Sequence, residues 1–396
     1  MLRATRRAIA LSLTLLFLVP GLCLAATPGA KNAAAKPAIK AKHHRRKHHG
    51  QYDAYAQWKE IYHLTLDEGT PVVMDYSVRG HALHPLLDTG SPVGIMVPRK
   101  VYSKLQVKAA STTTIGSMTG KFKDVDSGAV LFPMLGSGRP RWFQTAPVES
   151  DEHDLGAADS VIPLDLLDGN LALFLLSRKE LWVGYDDPGW MGTDSSSPND
   201  ATATTEAQGQ ANGAEKTIPY FDCSSSLLVS ITCEGQHFSA MLDTGSATTS
   251  FSTNFVAQHP AIFKDTGNTD KSYGYNAEMT LPLFHYDSGI SIQGTTAADD
   301  IVLDAGDYEA MPAYDSTGKL IAAPEVGDPT SLPYDRPDVP SVAPVALIGM
   351  DLLGRYDFCF YRNYKFLILW PPSETDAMFP EPKTQHKSSQ ASRKRH

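Results

Sequence analysis

Short apolar or alternating runs, separated by Gly, Pro and Ser, fill the chain from about residue 62 to 185 and again from 218 to 370. This pattern predicts strands and a β-rich protein. Residues 51–62 read as a short helix or an irregular lead-in. Residues 187–216 are rich in Ser, Thr, Ala, Gly and Asp with almost no large apolar side chains, the composition of a flexible linker.

The two β-rich blocks can be laid on one another. Residues 72–78 and 227–233 read as strands that turn at Gly80 and Gly235. Each glycine is followed eight positions later by an aspartate, Asp88 and Asp243, that ends an apolar run. Further strands are expected at 93–97 and 248–251. An Asp-Ser-Gly follows in each block, at 126–128 and 287–289, then matching apolar segments at 161–167 and 347–353, and final strands near 171–183 and 358–369. This ordered correspondence predicts a duplicated lobe. The second block is longer between aspartate and closing segment, and the excess, residues 304–344, reads as a surface insertion that shapes a cleft rim.

Both aspartates open the tetrapeptide Asp-Thr-Gly-Ser, at 88–91 and 243–246. If the lobes pack about a pseudo-twofold axis, Asp88 and Asp243 meet. Two carboxyls at about 3 Å cannot both ionise easily and share a proton. Such a pair can activate a water against a peptide carbonyl, the ionised member taking the proton while the protonated member supports the oxyanion. Gly90 and Gly245 permit the tight loops, Thr89 and Thr244 would brace them across the axis, and Ser91 and Ser246 would hydrogen-bond the outer carboxylate oxygens. The chemistry needs no metal or organic cofactor. A third copy, Asp265-Thr266-Gly267, sits among polar residues and reads as a plain turn. Asp126 and Asp287 likewise read as turn residues, and Asp165 and Asp351 as caps of short helices.

Composition and the chain ends narrow the setting. Three arginines, an apolar run over residues 9–19 and Ala25-Ala26 form a secretory signal pattern, and the run is short for a membrane span. Cleavage after residue 25 yields an exported, periplasmic or extracellular product with 32 basic against 44 acidic residues. The basic residues concentrate in a His-rich tether at 26–50 and a tail at 373–396, leaving an acidic middle that argues against nucleic acid. Three cysteines survive cleavage, and either Cys223–Cys233 or Cys223–Cys359 could bridge.

The segments L-L-D-T-G-S, M-L-D-T-G-S and the closing L-I-G-M-D-L-L resemble the aspartic proteases of the retropepsin-like group. The resemblance covers residues 72–183 and 227–369. It implies an all-β fold of two small barrel-like lobes, with short helices after the closing motifs and a cleft between the lobes. It further implies endopeptidase activity on extended peptide, with both lobes in one chain as in pepsin-like enzymes. The lobes are expected to pair within a monomer, a swapped dimer being the alternative. Flaps over the cleft are expected around Ile115, Gly116 and Met118 and around Tyr273 and Gly274. One position departs from the family: Gly349 of the second closing motif is matched by Pro163, so the chain beside Asp88 is expected to run differently. A non-catalytic peptide- or envelope-binding protein on the same scaffold is the alternative function.

Overall fold

A computed structural model describes residues 58–91, 94–105, 107–116, 122–148, 156–185, 215–223, 226–274, 277–312 and 344–379. The signal segment, the tether, the linker up to residue 214, residues 313–343 and the tail beyond 379 lie outside the described residues. The fold is mostly β-sheet with short helices.

Two hairpins start the matching halves. Tyr76–Val78 and His81–Leu83 are joined by Arg79-Gly80, with φ of 48° and 79°. Ser226–Cys233 and Gln236–Leu242 are joined by Glu234-Gly235, with φ of 50° and 77°. Two successive positive φ values define the turn whose twist suits a hairpin, and glycine at the second position avoids the Cβ penalty. The strand that ends at each aspartate then pairs in parallel with a later one: Pro85–Leu87 with Ser160–Ile162, and residues 240–242 with Ala346–Ile348. Ile95–Pro98 lies antiparallel to Ser160–Ile162 and parallel to Pro140–Val148. Ser250–Ser252 makes the same two pairings with Ala346–Ile348 and Gly306–Met311. In each half a long hairpin, Lys108–Gly116 with Phe122–Pro133 or Phe263–Gly274 with Ala277–Tyr286, joins the sheet beside these strands. The closing segments run into short helices, Leu164–Leu166 and Met350–Leu353.

Several expectations change. Residues 58–62 belong to the strand Trp58–Asp67 rather than to a helix or irregular lead-in. The two Asp-Ser-Gly triplets do not correspond: 126–128 lies inside the strand Phe122–Pro133, where Ser127 pairs with Ser111, whereas 287–289 lies between strands. The excess of the second half does not begin as a loop, because Gly306–Met311 is the strand equivalent to Pro140–Val148. Instead, part of the excess is the added pair Ile290–Ile292 and Ile301–Val302. Asp165 and Asp351 lie within the first turns of their helices, not at the capping positions, which are Pro163 and Gly349.

The halves meet in a six-stranded antiparallel sheet, ordered Trp58–Asp67, Glu180–Gly184, Leu171–Leu175, Asp357–Tyr361, Phe366–Trp370, Lys216–Cys223. At its centre Phe174 stacks on Phe358 with ring centroids 4.7 Å apart. One face buries Trp58, Trp182, Trp370 and Phe379, so the packed structure continues through the helix Pro372–Met378. Arg362 crosses the junction, donating to the Leu167 carbonyl at 2.5 Å and to Asp165 at 3.0 Å. Asp357, fully buried, accepts from Ser177 N–H at 3.1 Å, Ser177 Oγ at 3.0 Å and Thr375 Oγ1. Replacing Asp357 by Ala removes the acceptor of all three donors, of which only Thr375 Oγ1 is buried and it keeps its bond to the Pro372 carbonyl at 2.8 Å. Denaturant titration should show a loss on the order of 1–3 kcal/mol. A loss below about 0.5 kcal/mol would mean the junction does not depend on this carboxylate.

Candidate active site

Each aspartate sits one residue past the end of its strand, held by its backbone. Asp88 N–H donates to the Ile162 carbonyl at 2.9 Å and Asp243 N–H to the Ile348 carbonyl at 3.0 Å. Each loop then folds onto its own carboxylate: Gly90 N–H donates to Asp88 Oδ1, and Gly245 N–H to Asp243 Oδ1, both at 2.8 Å.

The threonines tie the loops together reciprocally. Thr89 Oγ1 donates to the Leu242 carbonyl at 2.8 Å and accepts from Thr244 N–H at 3.1 Å. Thr244 Oγ1 donates to the Leu87 carbonyl at 2.6 Å and accepts from Thr89 N–H at 3.2 Å. The glycines permit the approach. A Cβ on Gly90 would lie 2.6 Å from Asp243 Cγ, and one on Gly245 would lie 2.6 Å from Asp88 Cγ. No side chain fits at either position, since carbon atoms make contact at about 3.5–4.0 Å.

Both carboxyls are fully buried. Burial lifts Asp88 well above the usual carboxylate range, and the charge of Asp243 lifts it further. Burial also pushes Asp243 up to about 6, opposed by its interaction with Asp88 and by the backbone N–H groups of Gly245, Ser246 and Gly90. The pair therefore titrates as one unit, and burial makes both carboxyls hold protons to higher pH than free carboxyls do. Asp88 Oδ2 and Asp243 Oδ2 have no hydrogen-bond partner among the described residues.

The serines do not take the places expected of them. Ser246 Oγ donates to the Thr248 carbonyl at 2.8 Å, and Ser91 Oγ is buried without a hydrogen-bond partner among the described residues. Pro163 does not redirect the chain, because Asp88 and Asp243 keep the same backbone bond to the closing strand. Pro163 has φ −77° and ψ 161°, extended like Gly349 at φ −94° and ψ −172°. The halves differ beside it. Gly349 lies where a Cβ would be 2.4 Å from the Thr248 carbonyl oxygen, and Met350 N–H donates to the Ser246 carbonyl at 2.8 Å.

Ile115 and Gly116 end one long-hairpin strand and Tyr273 and Gly274 end the other; Met118 lies outside the described residues. Asp265-Thr266-Gly267 makes the same local bond as the paired motifs, Gly267 N–H to Asp265 Oδ1 at 2.8 Å, but at an irregularity in the strand Phe263–Gly274 where Asp265 and Gly267 are exposed. Cys233 and Cys359 are buried free thiols, so neither expected disulfide forms.

One buried acid escaped the sequence reading. Glu309 lies beside Ser250 in the sheet, on the face that carries Met311, Leu347 and Met241. Met241 belongs to the strand that ends one residue before Asp243. Its Oε2 is buried with no hydrogen-bond partner among the described residues. Burial and the charge of Asp270 push Glu309 up to about 7, partly offset by the Ser272 hydroxyl. Because the folded state holds this proton more tightly, the group's contribution to stability is present at acid pH and lost as pH rises through about 7. Glu309→Gln should therefore stabilise the protein by on the order of 1–3 kcal/mol at about pH 8.5 and by little at about pH 5. Thermal unfolding at the two pH values measures this, and an equal shift at both would refute it.

No protein-family model matches the chain, and no curated protein matches it.

Proposed function

We propose that this chain is an aspartic endopeptidase of the retropepsin-like type, with two barrel-like lobes in one polypeptide and a dyad formed by Asp88 and Asp243. One observation carries the reading: reciprocal threonine bonds set two buried carboxyls against each other across a repeated fold. An ordinary turn aspartate has no need of that apparatus. In the proposed reaction the ionised carboxyl takes a proton from water as the oxygen attacks the peptide carbonyl. The protonated carboxyl donates to the developing oxyanion, and the leaving amine is protonated as the C–N bond breaks. The substrate is an extended peptide lying between the long hairpins, met in the periplasm or outside the cell by a monomeric enzyme.

Complete burial of both carboxyls favours a second reading, a peptide-binding protein without turnover. Incubation with casein from acid to neutral pH, with and without a transition-state-mimicking aspartic protease inhibitor, separates the two. Inhibitor-sensitive cleavage is expected. Tight peptide binding with no cleavage at any pH would establish the second reading instead.

A further inference from the structure

Three donor atoms converge at the end of the second half's first hairpin. Cys233 is the last residue of its strand, Glu234 opens the turn, and His259 follows the last residue of the helix Thr253–Gln258. His259 Nδ1 lies 2.8 Å from Glu234 Oε2 and 3.8 Å from Cys233 Sγ, and the three atoms all fall within 4.8 Å of one another.

The ring nitrogen involved decides between two chemistries. A nucleophilic relay needs the thiol on one imidazole nitrogen and the carboxylate on the other. Here both face Nδ1, so no relay exists, and three groups that become metal ligands on loss of the Nδ1 and thiol protons converge on one region. We propose that Cys233, Glu234 and His259 bind a single divalent cation of the Zn(II) class, with the remaining position taken by water.

The spacing suits that ion. Tetrahedral Zn–S and Zn–N bonds of about 2.3 and 2.0–2.1 Å imply a sulfur–nitrogen separation of roughly 3.6 Å, against the 3.8 Å found. The nitrogen–oxygen separation must widen from 2.8 Å to roughly 3.4 Å. The Glu234 side chain has the freedom for this, being 45% exposed. The other two ligands are fixed: Cys233 is fully buried, and the His259 ring packs against Phe255 and Phe238 at centroid distances of 4.5 and 5.7 Å. A thiol with an imidazole selects Zn(II)-like ions over Mg(II) or Ca(II). As the metal binds, the proton that Nδ1 shares with Glu234 gives way to the Nε2–H tautomer and the thiol proton passes to solvent. The turn itself does not require these residues, since the first half builds the same turn with Val78 and Arg79. Bound metal would pin the helix to the hairpin and stiffen the side of the second half that carries Ser250–Ser252.

Co(II) titration of the full-length, metal-free protein tests the site. A sulfur-to-metal charge-transfer band reports thiolate ligation, to which the His-rich tether cannot contribute. A band saturating at one ion per chain is expected, abolished in Cys233→Ser and shifted to at least about tenfold weaker binding in Glu234→Gln. Glu234 is exposed, so its variant remains informative if Cys233→Ser fails to fold. Absence of the band in the wild-type protein, its persistence in folded Cys233→Ser, or unchanged affinity in Glu234→Gln would each overturn the proposal.

Discussion

Asp243→Asn should abolish peptide hydrolysis and at the same time make the protein more stable at neutral pH. Activity falls by roughly 10²–10⁴-fold or more, because the amide can neither accept the proton of the attacking water nor share one with Asp88. Stability moves the other way. The folded protein holds Asp243 up to about 6, so the cost of ionising the buried pair is absent in acid and grows as pH rises through that value. Asparagine never ionises, and the gain at about pH 8 should be on the order of 1–3 kcal/mol, or several degrees in Tm, vanishing near pH 4. Asp88→Asn should behave alike, since burial and the neighbouring charge raise Asp88 as well. Casein cleavage paired with thermal unfolding at the two pH values makes the check. A variant that loses activity and stability together at about pH 8 would show the aspartates to be structural.

The second large effect concerns the braces. Thr244→Val keeps the shape but removes a donor to the Leu87 carbonyl and an acceptor for Thr89 N–H, both buried. Each stranded group costs on the order of 1–3 kcal/mol, so a loss of about 2–5 kcal/mol is expected in denaturant titration. Thr244→Ser, which keeps the hydroxyl, should recover most of the stability and the pH profile of cleavage. If valine proves as stable as threonine, the cross-axis bonds contribute nothing.

Much of this arrangement was legible because its signals are local. The turns at Gly80 and Gly235 and the two Asp-Thr-Gly-Ser loops follow from glycine's conformational freedom and the apolar runs around them. The match of Ile162 to Ile348 also held, since each lies beside the strand that ends at an aspartate. What escaped depends on tertiary partners. Gly306–Met311 is rich in residues that favour turns, yet it is a strand because Ser250–Ser252 and Ala277–Tyr286 flank it. That context hid Glu309. The Asp-Ser-Gly triplets misled for the same reason, one lying inside a paired strand with Asp126 exposed and Ser127 buried, the other left between strands. The hydroxyl of Ser246 was assigned to a carboxylate on chemistry alone, whereas the loop's curvature brings a backbone carbonyl nearer.

The shared sheet also constrains synthesis. Leu171–Leu175 pairs on one side with Glu180–Gly184, but its other side waits for Asp357–Tyr361. At translation rates of about 5–20 residues per second, roughly ten to forty seconds separate the two strands' emergence. Through that interval the nascent first half presents an apolar edge, with Leu171, Leu173 and Leu175 on one face, of the kind that recruits other chains. The two-fold repeat sharpens the hazard, because the missing strand has a near-equivalent in every neighbouring copy. Crowded ribosomes should therefore favour mispairing between nascent chains, and a chaperone that covers this edge should raise the yield of folded protein more than one acting on the completed chain.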